Sequence, residues 1–200
     1  MVTAPNTYEK ILATQGYSCI AGVDEAGRGA LAGAVVACAV ILPYGLIIEG
    51  VNDSKKLSPK RREELAELIK EKAITYAYGI VDVSTIAEIN ILQASLLAMK
   101  NAIECLAVTP SAILIDGNKL PEGLMCPAYC IKQGDSASHT IAAASILAKV
   151  QRDVMMLELH KKYPMYGFGH HKGYGTVVHK TALREHGLCP QHRKSFCMLL

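Results

Sequence analysis

Four acidic residues have the type and the placement to hold divalent metal ions. Asp24 and Glu25 close one short apolar segment, and Asp116 closes a second one. Asp135 follows Gly134 at the approach to a predicted helix. Mg²⁺ and Mn²⁺ prefer carboxylate oxygens, so a site for them needs clustered acids with little nitrogen or sulfur. Two such ions about 4 Å apart would stabilise both the attacking water and the leaving oxygen in phosphodiester hydrolysis.

Each of these acids also has an ordinary structural interpretation, and spacing alone leaves both open. An Asp that precedes Gly at a strand end is usually a turn residue, so Asp116 could belong to a turn and Asp135 could be a local cap. Neighbouring residues of a strand point to opposite faces. Asp24 and Glu25 can therefore serve one site only if the strand bends or ends there, which the following Gly27-Arg28-Gly29 segment favours.

The elements that would position these acids follow from hydrophobic periodicity and from capping residues. Strands are predicted at residues 18–24, 35–42, 75–83, 112–116 and 125–131, with a further short strand at 46–50. Helices are predicted at residues 59–72, 84–106, 138–162 and 176–185, the first with Ser58 as N-cap and Pro59 at its first position. This order favours an α/β protein with a mixed sheet and helices on both sides. In such a sheet, sites form where strand ends and helix starts converge.

Length and composition set the broad class. The chain has 200 residues, which is enough for one sizeable core, and its 21 basic and 18 acidic residues give a net charge of +3. This charge permits nucleic-acid binding without requiring it. We expect no membrane span, because no stretch of about 18 uncharged apolar residues occurs. The seven cysteines argue against a disulfide framework and indicate reduced thiols in the cytoplasm.

The sequence resembles the ribonuclease HII family over nearly its whole length. The resemblance is carried by blocks that run in family order from Gly22 to Phe196. These blocks are Gly22-Val23-Asp24-Glu25-Ala26-Gly27-Arg28-Gly29, Asp53-Ser54-Lys55-Lys56-Leu57-Ser58, Ile115-Asp116-Gly117-Asn118, Gly134-Asp135-Ser136, Ala142-Ala143-Ala144-Ser145-Ile146-Leu147-Ala148-Lys149, His171-Lys172-Gly173-Tyr174-Gly175 and His192-Arg193-Lys194-Ser195-Phe196. The sequence departs from the family at Ala30 and Ala34, where Pro is usual; neither change removes a functional group.

The resemblance implies an RNase H-like fold, with a five-stranded mixed sheet flanked by helices and a small helical C-terminal extension. It places the catalytic domain at residues 1–163 and the extension, packed on that domain, at residues 164–200. The implied catalytic and metal-binding residues are the same four acids, Asp24, Glu25, Asp116 and Asp135. The implied cofactor is Mg²⁺ or Mn²⁺, with two ions during catalysis.

The implied activity is an endonuclease that hydrolyses the RNA strand of RNA–DNA hybrids. Members of the family also cut 5′ of a single ribonucleotide in duplex DNA, leaving 3′-hydroxyl and 5′-phosphate ends. The resemblance assigns Gly27, Arg28 and Gly29 to reading the 2′-hydroxyl, which distinguishes RNA from DNA. It places Tyr174 against the following deoxyribose, where a 2′-hydroxyl would clash.

Further substrate contacts are expected from basic side chains that could meet phosphates. These candidates are Lys55, Lys56, Lys172 and Arg193, together with Ser145 and Lys149, which stand four residues apart on one helix face. Four histidines, His170, His171, His179 and His192, invite a general-acid or zinc interpretation. We do not favour it, because carboxylate-bound metal already activates water.

Two other functions remain as alternatives. The first is a non-catalytic duplex-binding module with the same fold, against which the four acids argue because a pure binder gains nothing from negative charge near phosphate. The second is a nuclease of the same fold that acts on DNA alone, against which Gly27-Arg28-Gly29 and Tyr174 argue. We expect a monomer whose partners are RNA–DNA hybrid and ribonucleotide-containing duplex DNA, and the sequence identifies no protein partner.

Overall fold

The structure, a computed structural model, describes residues 2–198 and arranges them around a five-stranded sheet. The strands are β1 (Ile20–Ala26), β2 (Val35–Ile41), β3 (Thr75–Val81), β4 (Ala112–Asp116) and β5 (Ala128–Ile131). Their order in the sheet is β3-β2-β1-β4-β5. Strands β3, β2 and β1 pair antiparallel, whereas β1, β4 and β5 pair parallel. The predicted mixed sheet of five strands is confirmed.

Helices connect the strands and cover both faces of the sheet. They are α1 (Thr7–Thr14), α2 (Pro59–Lys72), α3 (Val83–Glu104), α4 (Gly134–Ala137), α5 (His139–Lys162), α6 (Phe168–His171), α7 (Val177–His186) and α8 (Lys194–Cys197). Short 3₁₀ turns stand at Ser54–Lys56 and Pro164–Tyr166. No helix within residues 2–198 is long and apolar enough to cross a membrane.

The core is divided into two layers by the sheet. Helix α3 packs on one face, and helices α2 and α5 pack on the other. Strand β2 lies between the two layers, which is why every one of its residues is buried and apolar. Gly22 of β1 allows the close approach of α5, since a Cβ added there would lie 2.2 Å from the Thr140 carbonyl carbon.

Local capping explains where several helices begin. The Ser58 hydroxyl accepts a hydrogen bond from Arg61 N, and Ser138 and Thr176 cap α5 and α7 in the same way. The predicted starts of these helices are confirmed. The predicted start of α3, with Ser84 as its N-cap, is wrong by two residues, because the Asp82 carboxylate accepts from Thr85 N and makes Asp82 the N-cap.

The predicted short strand at residues 46–50 is wrong. Its backbone groups bond locally in turns, with Leu46 N donating to Pro43 O and Val51 N donating to Ile48 O. Because these backbone groups bond within turns, they do not pair with a neighbouring strand. The first strand also differs from the prediction, because β1 extends beyond Asp24 to Ala26.

The segment after α5 packs against that helix and against the loop that follows β1. Its apolar side chains, among them Phe168 and Leu183, form a cluster with Met156 and Ala32. An isolated antiparallel bridge pairs Ala32 with His192. The division into a domain at 1–163 and an extension at 164–200 stays a prediction, and its end residues Met1, Leu199 and Leu200 lie outside the described residues.

Candidate active site

The ends of two parallel strands bring the first pair of acids together. The β1–β4 pairing ends at Val23 and Ile115, so Asp24 and Asp116 occupy the next positions on neighbouring strands. Asp24 is buried between this strand end and helix α5. Parallel pairing therefore joins two acids that are far apart in the sequence.

Burial and like charge disfavour the ionised form of Asp24. Burial raises the pKa of its carboxyl well above the ordinary range, and the charges of Glu25 and Asp116 raise it further. Hydrogen bonds from the Ser145 hydroxyl and from Glu25 N offset part of this rise. A cation placed among these carboxylates would offset the free-energy cost of ionising Asp24.

Glu25 is the acid for which strand alternation matters. It shares its strand face with Val23, which packs in the layer containing α3, whereas Asp24 faces α5. Burial raises the pKa of Glu25, and the charge of Asp116 raises it further. The guanidinium of Arg28, which lies 3.3 Å from Oε1, lowers the pKa and offsets part of this rise. Strand β1 does not end at Asp24 as predicted, but the charge of Asp116 nevertheless raises the pKa values of both Asp24 and Glu25.

The short helix α4 places the fourth acid beside Asp116. Gly134 N donates to Asp116 Oδ1 at 2.7 Å and holds the start of α4 at the end of β4. Asp135 is buried, and its pKa is raised by burial first, then by the charges of Asp53 and Asp116. Lys55 Nζ stands 3.6 Å from Asp135 Oδ2 and opposes the rise. The four residues Asp24, Glu25, Asp116 and Asp135 are named the acidic edge below.

Asp53 is a neighbour of the acidic edge that the sequence analysis did not select. Its carboxylate accepts from Lys55 N at 2.9 Å and caps the 3₁₀ turn that carries Lys55 and Lys56. The same carboxylate lies close enough to Asp135 to raise the pKa of that group. The signal available in the sequence was its position in the block Asp53-Ser54-Lys55-Lys56, which was quoted only as a motif.

Two members of the acidic edge, Asp116 and Asp135, line a cleft of about 270 Å³ together with Lys55. Among residues 2–198, no three His, Cys, Asp or Glu side chains already converge at metal-holding distance. The donor set nevertheless fits Mg²⁺ or Mn²⁺, because it consists of carboxylates that repel one another. Asp24, Glu25, Asp116 and Asp135 are the residues that would hold such ions.

The loop from Gly27 to Ala34 is held in place by two buried arginines. Arg152 donates to the carbonyl oxygens of Ala34, Lys172 and Ala32 at 2.9–3.1 Å. Gly27 has a φ of +99°, and a Cβ there would lie 2.0 Å from Arg152 Nε, so both its conformation and its packing require glycine. The following Gly29 is exposed and has open space around it.

Arg193 holds the other side of the same loop. Its guanidinium is 1% exposed and donates twice to Gly33 O and once to Arg28 O. Within residues 2–198, neither Arg152 nor Arg193 has a carboxylate at ion-pair distance. We therefore assign Arg193 to supporting the loop rather than to the phosphate contact expected from the sequence. Arg152 was not selected, because its burial depends on contacts remote in the sequence.

Tyr174 lies half-buried beside this loop, under two cationic side chains. Lys149 Nζ is 6.0 Å and Arg152 Cζ is 5.3 Å from the centroid of its ring. Lys149 is also paired with Asp153, which in turn binds Arg62 at 3.1 Å. The tyrosine ring therefore has a defined setting between the loop and helix α5.

The remaining candidate residues differ in their access to solvent. Lys55 is the most exposed, with 80% of its side chain accessible, and Lys56 donates to Ser136 Oγ at 3.2 Å. Lys172 donates to Gly169 O and is partly buried. Ser145 is buried and shares a hydrogen bond with Ser54 Oγ at 3.0 Å, which places it inside the site, beneath Asp24.

Sequence and structure comparisons find related proteins over nearly the whole chain. The family model described as Ribonuclease HII matches residues 21–199. Ribonuclease HII of Geotalea uraniireducens (strain Rf4) is 55% identical over 190 residues, which are 94% of this chain and 87% of that protein. The crystal structure of ribonuclease H2 from Pyrococcus horikoshii OT3 is similar with a TM-score of 0.74 and 27% identity, over 90% of this chain and 95% of that one.

A more distant likeness concerns the fold alone. The crystal structure of Bst-RNase HIII in complex with Mn²⁺ has a TM-score of 0.69 at 21% identity. The similarity covers 94% of this chain and 69% of that one.

Proposed function

The chain belongs to the ribonuclease HII family, and from this premise we propose that it cuts 5′ of single ribonucleotides in duplex DNA as well as within RNA–DNA hybrids. It is a ribonuclease whose family acts on the RNA of such hybrids. We propose that cleavage leaves 3′-hydroxyl and 5′-phosphate ends. The seven free thiols support a cytoplasmic location for this activity.

The observation that carries the proposal is the acidic edge. Asp24 and Asp135 are buried acids whose pKa values are raised by burial and, in addition, by the charges of neighbouring carboxylates. When bound, two divalent ions would activate water and stabilise the leaving oxygen of the phosphodiester. A module that only bound nucleic acid would gain nothing from negative charge at this position.

The chain's own groups would fix the acids in the geometry that the reaction needs. The Gly134 N–H holds one oxygen of Asp116, and Ser145 and Glu25 N hold Asp24. Arg28 restrains Glu25 from the opposite side. These bonds orient the carboxylates before substrate arrives, which reduces the reorganisation required during the reaction.

Selection of the cut would come from the loop and from Tyr174. The exposed backbone at Gly29 leaves room for a sugar hydroxyl to approach, and the buried arginines keep that backbone in place. Tyr174 would pack on the next sugar and exclude a 2′-hydroxyl there. Lys55, Lys56, Lys149 and Lys172 are the proposed phosphate contacts, and Arg193 would act through the loop.

The direct test uses a labelled duplex that contains one ribonucleotide, with Mg²⁺ or Mn²⁺ and with chelator. We expect one cut 5′ of the ribonucleotide in the presence of metal and none with chelator. Asp116→Asn is the matched control, because its amide oxygen can still accept from Gly134 N while the charge is lost. We expect cleavage to fall at least about 100-fold in this variant while duplex binding persists. Full activity of Asp116→Asn would rule out its assignment as a metal ligand.

The assignment of Tyr174 is tested by comparing two substrates. Tyr174→Ala should weaken cleavage at a single ribonucleotide more than cleavage of a long hybrid, because only the former has a deoxyribose beyond the cut. Tyr44→Ala is a suitable control, since Tyr44 is 67% exposed and lies on a different loop. Equal losses on both substrates would show that Tyr174 does not recognise the junction.

A further inference from the structure

Three imidazoles, two of them buried and one partly buried, form a cluster next to the backbone of Tyr174, and their hydrogen bonds determine which nitrogen carries the proton. They are His171, His179 and His192, named the histidine cluster below. Cys189 N donates to His192 Nδ1 at 2.9 Å, the shorter of two contacts of this nitrogen, since Cys189 O lies 3.3 Å from it. An N–H can be accepted only by an unprotonated ring nitrogen, so the proton of neutral His192 is on Nε2.

The proton of His192 then defines the state of its neighbour. His192 Nε2 lies 3.1 Å from His179 Nε2, so His192 donates and His179 accepts. The proton of His179 is therefore on Nδ1, which stands 3.0 Å from Tyr174 O and donates to it. The chain of hydrogen bonds runs from Cys189 through two imidazoles to the carbonyl of Tyr174.

His171 completes the cluster from the other side of the same segment. Gly173 N donates to its Nδ1 at 3.2 Å, and its Nε2 donates to Tyr166 O at 2.7 Å. The rings of His171 and His179 stack, with centroids 4.5 Å apart and planes inclined by 14°. Imidazoles therefore hold both the N–H of Gly173 and the carbonyl of Tyr174.

The rest of this backbone is anchored by other elements. Leu31 N donates to Gly173 O at 2.8 Å, and Tyr174 N donates to His171 O at 3.0 Å. Arg152 donates to Lys172 O at 2.9 Å. The backbone of Tyr174 is fixed on both sides, whereas its ring makes cation–π contacts and remains partly exposed.

The surroundings of the cluster keep it uncharged. Burial lowers the pKa of all three histidines, that of His192 to about 4 with a further contribution from His179. The titratable groups that face the cluster are Tyr166 and Cys189 on one side and His160 and His170 on the side of His171, where their charges lower the pKa of His171 further. The guanidinium of Arg193 is directed at Gly33 O. No carboxylate within residues 2–198 stands at ion-pair distance from these three imidazoles. A second proton on His179 or His192 would place two N–H groups against each other.

We propose that His179 and His192 are positioning residues for Tyr174, a neutral pair that transmits the fold of the C-terminal segment to the carbonyl of the discriminating tyrosine. The pair would thereby set the preference for a single ribonucleotide over a long hybrid. This inference rests on the proposed function of Tyr174 at the junction. It assigns the two histidines neither a metal nor a proton-transfer step.

The test compares three variants on both substrates. Tyr174 O also accepts from Thr176 N at 2.8 Å. His179→Leu removes only the imidazole donor to this carbonyl, whereas His179→Asn retains an N–H near the position of Nδ1. We expect His179→Leu to lower the ratio of kcat/KM for the single ribonucleotide over the hybrid about fivefold, the effect of one lost hydrogen bond. His179→Asn should restore most of the ratio, and His192→Leu should lower it. Equal losses on both substrates in His179→Leu, or no rescue by His179→Asn, would overturn the proposal.

Nitrogen NMR of the full-length protein provides a readout independent of cleavage, and the tautomers of the wild type do not depend on the folding of any variant. We expect the proton on Nδ1 of His179 and on Nε2 of His192 at neutral pH. The opposite tautomer on either ring would refute the hydrogen-bond chain. The ring signals of Tyr174 should shift in His179→Leu and return in His179→Asn; unchanged signals in His179→Leu would also refute the proposal.

Failure of the proposed function has a different signature. If Tyr174→Ala leaves the substrate ratio unchanged, Tyr174 does not discriminate, and the proposed reading of the junction fails. The tautomers and the Tyr174 ring signals then still decide whether the histidines position that residue. If Tyr174→Ala does change the ratio, adding His179→Leu to it should have no further effect, and an additive loss would contradict positioning through Tyr174.

Discussion

The acidic edge and the histidine cluster both contain buried titratable groups whose charged form is disfavoured, yet they have opposite relations to the fold. In the acidic edge, the raised pKa values arise from burial and from carboxylates that repel each other. In the histidine cluster, burial lowers the pKa values, and the ring nitrogens are hydrogen-bonded within the protein. Under the proposed function the first region would take up a cation from outside, whereas the hydrogen bonds of the second are formed within the protein. A displaced pKa thus indicates a binding site only where the protein leaves the charge uncompensated.

The strongest challenge to this comparison is Asp24→Asn, which removes a charge from the acidic edge and keeps the shape of the side chain. We expect cleavage to fall at least about 100-fold. The folded-state pKa of Asp24 is raised, so the ionised carboxylate destabilises the native state at neutral pH, and its removal should raise Tm in metal-free buffer. Cleavage and thermal unfolding are the measurements.

Asp153→Asn is the contrasting variant, because Asp153 is paired with Lys149 and Arg62. The Tm of Asp153→Asn should decrease, since Lys149 and Arg62 lose their partner.

Mg²⁺ should raise the Tm of the wild type more than that of Asp24→Asn. A lower Tm for metal-free Asp24→Asn would contradict the view that the acidic edge is electrostatically strained.

Arg193→Leu tests whether the buried guanidinium stabilises the loop from Gly27 to Ala34. Loss of three hydrogen bonds to Gly33 O and Arg28 O should reduce the free energy of unfolding by about 3 kcal/mol. The exposed Arg28 provides the control, and Arg28→Leu should change stability by less than about 0.5 kcal/mol. Urea titration of both variants measures the difference. Similar stabilities would mean that Arg193 does not support the loop.

The most gradual expected effect is a pH dependence of stability that originates in the histidine cluster. The pKa of His192 is lowered to about 4 in the folded protein, so the unfolded chain takes up a proton first as the pH falls below about 6.5. The free energy of unfolding should therefore decrease between about pH 6.5 and pH 4, by at most about 1.4 kcal/mol per pH unit for this one group.

The contribution of His192 is isolated by comparing wild type with His192→Gln in urea titrations at several pH values. The carboxylates of the acidic edge act in the opposite sense, because their raised pKa values favour the folded state when they are protonated. These carboxylates are present in both proteins, so their contributions cancel when the free energies of unfolding of the two proteins are subtracted. Parallel curves for the two proteins would show that His192 is not held neutral by the fold.

Local sequence signals predicted most of the secondary structure. Strand β4, the N-cap Ser58 and the helix starts near Ser138 and Thr176 could be predicted because periodicity and capping act within a few residues. The prediction of a strand at 46–50 is wrong because an apolar segment forms a strand only where a neighbouring strand pairs with it. The end of β1 was placed too early, since its last residues are held by pairing with β2.

The sequence by itself determined the chemical types at the site: four carboxylates, a glycine-flanked Arg28, and Tyr174 between two glycines. Its motifs also indicated the family. Only the tertiary structure decided that parallel pairing of β1 with β4 brings Asp24 beside Asp116, and that Asp53 joins Asp135.

Burial was likewise decided by the tertiary structure. The same residue types that suggest phosphate contacts or acid–base catalysis in the sequence become internal supports in the fold, as Arg193 and His192 show. The physical reason is that desolvation and hydrogen-bond partners depend on segments remote along the chain. Residue type and local spacing determine what a side chain can do, and its surroundings in the fold determine which of those functions remains available.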